Sequence, residues 1–413
     1  QEDAGIDLPQ PAAPGFSLPE LPVSVNIGEI SAPSVSIGEP VFGIASEFSL
    51  DGSLRLEGGE GAADFESVRT DGPEGIFDIG ASYSNETRVL DLSLDFSEQP
   101  GGVLATLAGI PGEPSVDFDV QGEGPLDDFE ATLSLSTDDI ERLVGTLNIG
   151  GAGTTEDGPV PFRAEVAGNV APLLAPEYAE FFGENVALVL GGVRAADGAL
   201  DFRTFTLDAR QINLDGQLSL APGGLPRSFD LAGTIASGTG EPVLLPIPGE
   251  PTEVRSVTLN AIFDASSGDA WQGEFRILGL DRPGFSTEAL DLDGDGTISR
   301  SGAFTADLDF AAEQLDLGDP AAEAALGERV TGRVELSGAP DAPLDISRFD
   351  ITGESYALEA AAVLDISDRD LAIDGRAQLS AQDLSVFSGI AGRPLAGAAE
   401  LSVVGSGQIL GGA

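Results

Sequence analysis

The chain contains no cysteine, no histidine, no methionine and no lysine, and it has one tryptophan and three tyrosines in 413 residues. Without cysteine there is no disulfide, no thiolate nucleophile and no zinc–thiolate cluster. Without histidine the commonest general base and the commonest metal ligand are missing. All 19 cations are arginine, against 70 aspartates and glutamates, so the formal charge is −51. That balance argues against a nucleic-acid partner, because phosphate binding needs clustered cations. Long apolar runs are also missing. The strongest, Val186–Leu190, is far short of the roughly 20 residues of a membrane helix. The chain opens on Gln1 without a signal peptide, which reads as a piece of a longer protein or a processed product.

What remains is foldable. Hydrophobic residues make up 41% of the chain, and its 55 glycines and 27 prolines stay below the disordered low-complexity range. Residues 1–22, with five prolines and no sustained period, read as a linker or irregular opening segment. After them the dominant signal is alternation with period two. Leu90, Leu92, Leu94 and Phe96 alternate with Asp91, Ser93 and Asp95. Val116, Phe118 and Val120 alternate with Asp117 and Asp119. Phe129, Ala131, Leu133 and Leu135 alternate with Glu130, Thr132 and Ser134, and Phe304 to Phe310 follow the same rule. Successive side chains of a strand point to opposite faces, so each segment is a strand with one apolar and one acidic, hydroxylic face. Turn clusters such as Asp71-Gly-Pro, Ser84-Asn-Glu and Ser267-Gly-Asp separate the strands.

Helical signal is confined to Val103–Ala108, Ala171–Phe182, Pro320–Leu326 and Leu384–Ile390, each placed before a glycine where a short helix ends. Those glycines belong to a repeat. Gly38-Glu-Pro recurs at Gly112-Glu-Pro and Gly249-Glu-Pro, with looser copies at Gly183, Gly327 and Gly392. The spacings run from 65 to 78 residues. Strands are expected after the anchors, over Val116–Val120, Val186–Leu190, Val257–Ala261, Val330–Leu336 and Leu395–Val403. The reading is all-β, with residues 23–413 a continuous array of degenerate repeats of about 70 residues. A sheet with one apolar face can pack on a second sheet, close into a filled barrel, or curl into a trough, and periodicity does not choose among these.

Other motifs have plain readings. Asp291-Leu-Asp-Gly-Asp-Gly-Thr-Ile298 matches the first eight positions of a calcium loop, but Gly302 stands where the bidentate glutamate belongs. It reads as an acidic turn between neighbouring strands, with weak calcium binding as the alternative. Carboxylate pairs arise by chance in so acidic a chain. Gly58-Gly-Glu-Gly61 and Gly150-Gly-Ala-Gly153 lack the lysine and following helix of a phosphate cradle. Serines have no histidine partner, which excludes a nucleophilic triad. Trp271 reads as a sheet-edge or loop packing residue. No cofactor and no catalytic residue is expected.

Leu214-Asp-Gly-Gln-Leu-Ser-Leu-Ala-Pro222, Gln382–Leu401 and Gly124-Pro-Leu-Asp-Asp-Phe-Glu-Ala131 resemble the periplasmic part of the TamB (translocation and assembly module) family of the AsmA-like superfamily. The likeness of style covers most of residues 20–413. It implies an inner-membrane anchor outside this stretch and a long periplasmic β-groove, or β-taco, with an apolar lining. It also implies a TamA-type outer-membrane barrel engaged through other parts of the protein. The implied role is outer-membrane protein assembly and phospholipid movement between the membranes. On that expectation the groove holds phospholipid acyl chains against Leu90, Leu92, Leu94, Phe96, Val116, Phe118, Val120, Leu133 and Leu135. The alternative is a secreted or surface, adhesin-like acidic β-repeat protein of closed sandwiches that binds partners through loops.

Overall fold

The computed structural model describes residues 17–19, 22–151, 158–247, 249–340, 342–353, 355–365 and 371–409. Most of the expected opening segment, 1–22, lies outside them. The described residues are mostly strand, all antiparallel, with a few short helices. Among them no helix is long and apolar enough to cross a membrane. The chain forms two compact units, Gln1–Ala209 with Ala221–Gly224, and Arg210–Leu220 with Leu225–Ala413.

The first unit holds strands β1 (Val25–Ile37), β2 (Ser46–Glu57), β3 (Glu60–Arg69), β4 (Gly75–Ser84), β5 (Val89–Glu98), β6 (Val116–Pro125), β7 (Asp128–Thr137), β8 (Ile140–Gly150), β9 (Val160–Gly168), β10 (Val186–Arg194) and β11 (Leu200–Asp208). Each pairs with its sequence neighbour. No pairing among the described residues closes the sheet into a barrel. Two-residue turns make two of the hairpins. Gly58 and Gly59 (φ +58° and +82°) join β2 to β3, and Asp138 and Asp139 (φ +52° and +58°) join β7 to β8. Positive φ at both central residues gives the turn twist that matches the strands.

Three helical elements interrupt this meander: α1 (Glu39–Phe42), α2 (Val103–Ala108) and α3 (Ala179–Phe182). They fall before β2, β6 and β10, one for every four strands. The expected helix over Ala171–Phe182 is instead two 3₁₀ turns and α3, because Pro172 and Pro176 break its hydrogen bonding. α1 follows its anchor glycine and was not expected. α2 has the expected bounds and ends on left-handed Gly109 (φ +64°), whose N–H reaches the carbonyls of Ala105 and Thr106.

The second unit holds β12 (Ile212–Leu220), β13 (Pro226–Ala236), β14 (Val243–Leu244), β15 (Glu253–Val254), β16 (Ser256–Asp264), β17 (Ala270–Arg282), β18 (Phe285–Ile298), β19 (Phe304–Glu313), β20 (Arg329–Gly338), β21 (Leu344–Thr352), β22 (Tyr356–Asp365), β23 (Leu371–Ala381) and β24 (Ala399–Ile409). β13 pairs directly with β16, and β14–β15 is a small hairpin held to β17 at Glu253–Asp281. α4 (Pro320–Leu326) precedes β20, and a 3₁₀ turn with α5 (Ser388–Ala391) precedes β24, again four strands apart. Two expectations are corrected here. The strand after Gly392 begins at Ala399 rather than Leu395. Asp291–Ile298 is no turn: it is the interior of β18, in full register with β17 and β19.

In the first unit one packed cluster sits at the helical rim of the sheet, and Tyr83, Phe129, Ala131 and Ala199 are buried toward the other. Phe48, Val116, Thr137 and Glu98 at the strand ends are buried, as are Val103 and Ala105 of α2. Ala105, Ile110 and Val116 form one cluster with Leu104, Leu135 and Leu173 packed around it. The short helices supply, at the rim, the cover that a second layer supplies elsewhere.

Candidate functional site

All nine expected lining residues lie on one face of β5, β6 and β7. Directly paired residues of an antiparallel sheet share a face. Phe96 pairs with Phe118 and Phe118 with Leu135; Leu94 pairs with Val120 and Val120 with Leu133. Leu92 and Leu90 pair with Gly122 and Gly124, and Val116 lies between Glu98 and Thr137. Only Val116, under α2, is buried; the other eight are half-buried. The face continues in register through Leu147, Val166, Leu188 and Leu207.

Aromatic rings cross this face. Phe48, Phe77, Phe96 and Phe118 form a chain with centroids 5.7, 5.5 and 6.1 Å apart. Phe162 and Phe202 meet at 5.5 Å across Gly192 of the strand between them. In the second unit Phe310, opposite Gly332, stacks at 6.5 Å on Phe349, opposite Val334 of the same strand. A small residue in the middle strand lets rings from either side meet over it, at about 0.5–1.5 kcal/mol beyond burial. Phe77 escaped the sequence reading because Ile76, Phe77 and Ile79 put apolar groups on both faces and hide the alternation.

Trp271 belongs to this set, which corrects its sheet-edge placement. It lies within β17 and its indole rests across Gly294 and Gly296 of β18. A Cβ on Gly296 would stand 2.6 Å from the indole nitrogen, and one on Gly294 2.6 Å from Leu308. The indole N–H donates to the Thr305 carbonyl at 3.0 Å. The glycines of the supposed calcium loop thus serve the apolar face, while Asp291, Asp293 and Asp295 project from the other. No group of three or more His, Cys, Asp or Glu among the described residues is arranged to hold a metal.

A buried polar seal closes the α2 rim. The Glu98 carboxylate, with its side chain 1% exposed, accepts from the N–H of Val103 at 2.6 Å and of Leu104 at 2.7 Å. Arg69, 6% exposed, stands 3.7 Å away and bonds Asp71 at 3.1 Å. A main-chain hydrogen bond from Glu47 and the Arg69 pairing hold Asp71 below the usual carboxylate range. Glu98 thereby caps two of the free N–H groups of α2.

The opposite face is acidic, and differently so in the two units. In the first, Asp51, Glu66, Asp78, Asp95 and Asp119 are direct partners on five successive strands. Like charges so placed oppose sheet formation. In the second, arginines interleave: Arg333 meets Asp307, Asp309 and Glu335, and Arg348 meets Glu335 and Asp350.

Comparisons with protein-family models, with curated proteins and with solved structures each return no match for this chain.

Proposed function

We propose that this chain is a non-enzymatic scaffold that carries phospholipid acyl chains along its apolar sheet face. The observation that carries the reading is the state of the nine residues from Leu90 to Leu135: in register on one face, yet eight of them half-buried. A closed core would bring such side chains close to zero exposure. An acyl chain laid on them gains about 0.8 kcal/mol per CH₂ buried. Rows of Leu, Val and Phe offer no single deep well, so a chain can slide from one row to the next. The carboxylate face keeps such a surface soluble. In this reading the protein is an AsmA-like, TamB-type groove in the periplasm. It serves outer-membrane protein assembly and phospholipid transport, and it reaches a TamA-type barrel through other parts of the protein.

The sole tryptophan provides the test. Phospholipid with brominated acyl chains should quench Trp271 fluorescence, and the quenching should reverse on adding unbrominated lipid. Absence of quenching, together with absence of phospholipid in a native preparation by mass spectrometry, defeats the proposal.

A further inference from the structure

The apolar surface of the first unit does not stop at the strand ends. α2 buries Val103 and Ala105 and joins, through Leu104 and Ile110, the cluster that holds Val116 and Leu135. Those last two belong to the lining. On the outer side of the same helix Leu107 is 59% exposed, and Ala108, Gly109 and Pro111 after it are exposed. Residues 101–112 carry no charge at all, in a chain of net charge −51. α1 packs beside α2, with Gly43 at its end against Thr106, and carries Val41, also 59% exposed. The second unit repeats the device by itself: residues 384–392 are uncharged, and Ile390 of α5 is 56% exposed. An uncharged helix with aliphatic side chains on both sides is the exception in a chain whose sheet faces water with carboxylates.

Resting on the lipid-carrying reading, we infer that the α1–α2 rim is where the protein touches a zwitterionic lipid bilayer. Leu107 and Val41 enter the interface, and a departing acyl chain passes over α2 onto the half-buried Leu135. Two exposed side chains on helices of four and six residues fall far short of the roughly 1,000 Å² of a stable protein interface. They suffice for a weak, reversible hold on lipid, where each buried aliphatic group adds a small increment. Glu39 and Glu113 flank the rim, so an anionic surface is repelled and a zwitterionic one is not.

The test is flotation of the 413-residue chain with vesicles of phosphatidylcholine alone, at about 0.15 M salt. The wild-type chain should float, and Leu107→Asp should lower the bound fraction on the order of tenfold. Leu107 and Val41 are exposed, so Leu107→Asp and Val41→Asp should fold, read as an unchanged thermal midpoint. A wild-type chain that stays at the bottom, or a Leu107→Asp chain that floats like wild type, overturns the inference. So does a wild-type dimer that Leu107→Asp converts to monomer, because the rim would then be a contact between copies. Lipid delivered from detergent micelles separates this inference from the reading beneath it. Leu107→Asp should still take up micellar lipid while failing to float. If wild type takes up none, the lipid-carrying reading fails; flotation lost on Leu107→Asp would still support the bilayer contact.

Discussion

Leu92→Asp and Asp91→Asn change adjacent residues and should have opposite consequences, because successive residues of β5 face opposite sides. Leu92 stands between Ala81 of β4 and Gly122 of β6, two small neighbours that leave it half-buried. Full burial of a leucine is worth about 1.5–3 kcal/mol, and Leu92, with most of its surface covered, holds about 1–2 of it. A carboxylate there can still lean toward water, which keeps the total cost of Leu92→Asp at about 1–2 kcal/mol. For a unit of this size that lowers the thermal midpoint by about 2–8 °C. The variant should therefore fold and lose its bound phospholipid. Asp91 faces Ser82 and Glu123, so Asp91→Asn removes a like-charge opposition and should keep both stability and lipid. The assays are a thermal melt and lipid extraction with mass spectrometry on the same preparations. A closed core predicts a loss above about 4 kcal/mol for Leu92→Asp, with gross unfolding. A folded Leu92→Asp protein with a normal lipid load refutes the assignment at this position.

Three further perturbations follow from the geometry. Glu98→Ala removes both caps of α2 and leaves the Arg69 guanidinium to Asp71 alone, at a cost of about 2–3 kcal/mol; a midpoint for the first unit within error of wild type would show that the seal is idle, and Glu98→Gln, which keeps an acceptor, should cost less. Asp78→Asn breaks the middle of the acidic ladder and should stabilise by a few tenths to about 1 kcal/mol. Its stability should also rise less with salt than that of wild type, and an unchanged salt slope would mean the ladder is already compensated. A hydrogen bond with Asp316 raises the Glu323 carboxyl above its ordinary value, 4.5. A raised carboxyl favours the protonated folded form, so its contribution is complete below that value and fades as pH rises through the folded one. Glu323→Gln should flatten the pH dependence of the second unit just above pH 4.5 and gain a little stability at neutral pH; a profile unchanged from wild type would count against the pair.

The strands and their faces were legible because alternation is a local property. Leu90 to Phe96 and Val116 to Val120 carry it without interruption, and the two-residue period admits one facing. Helix positions were legible for the same kind of reason: a strip such as Val103–Ala108 before a glycine has no alternation and a ready stop. The Asp291–Ile298 strip misled because Asp-Gly-Asp-Gly has the composition of a turn. Its glycines are instead required by neighbours on the adjoining strands, Thr305 and Leu308 on one side and the Trp271 indole on the other, which take the space of a Cβ. The Glu98–Arg69 seal was hidden for a parallel reason. Its two charges lie on different strands, and among 89 charged residues nothing local separates a buried carboxylate from a solvated one. Ring pairs such as Phe162 and Phe202 depend on which residue occupies the strand between them, which only the register reveals.

The count of strands between helices has a consequence for both faces and both rims. Four is even, so an antiparallel meander returns after each repeat to the rim it left. In the first unit, α1, α2 and α3 therefore all emerge where β2, β6 and β10 begin, and β2 and β6 share that rim through the register Phe48–Arg69, Gly75–Glu98 and Glu98–Val116. With an odd count, successive helices would alternate between rims. Each rim would then be capped at every second repeat only. The even count leaves the opposite rim, among the described residues, to hairpin turns such as Gly58-Gly59 and to Leu18, which bonds Asn85 there. Burial is polar as well as apolar at the helical rim, with Ser46, Glu98, Val116 and Thr137, while Tyr83, Phe129 and Ala131 are buried toward the other rim and the nine lining residues between stay half-covered except Val116. A sheet so arranged secures its register at one side with a small packed cluster. On the reading proposed above, the half-covered part of its apolar face is what a hydrocarbon ligand would meet. On that reading stability and access fall to different parts of the same strands, which is why Glu98→Ala should lower the midpoint of the unit more than Leu92→Asp does, while only Leu92→Asp should empty it.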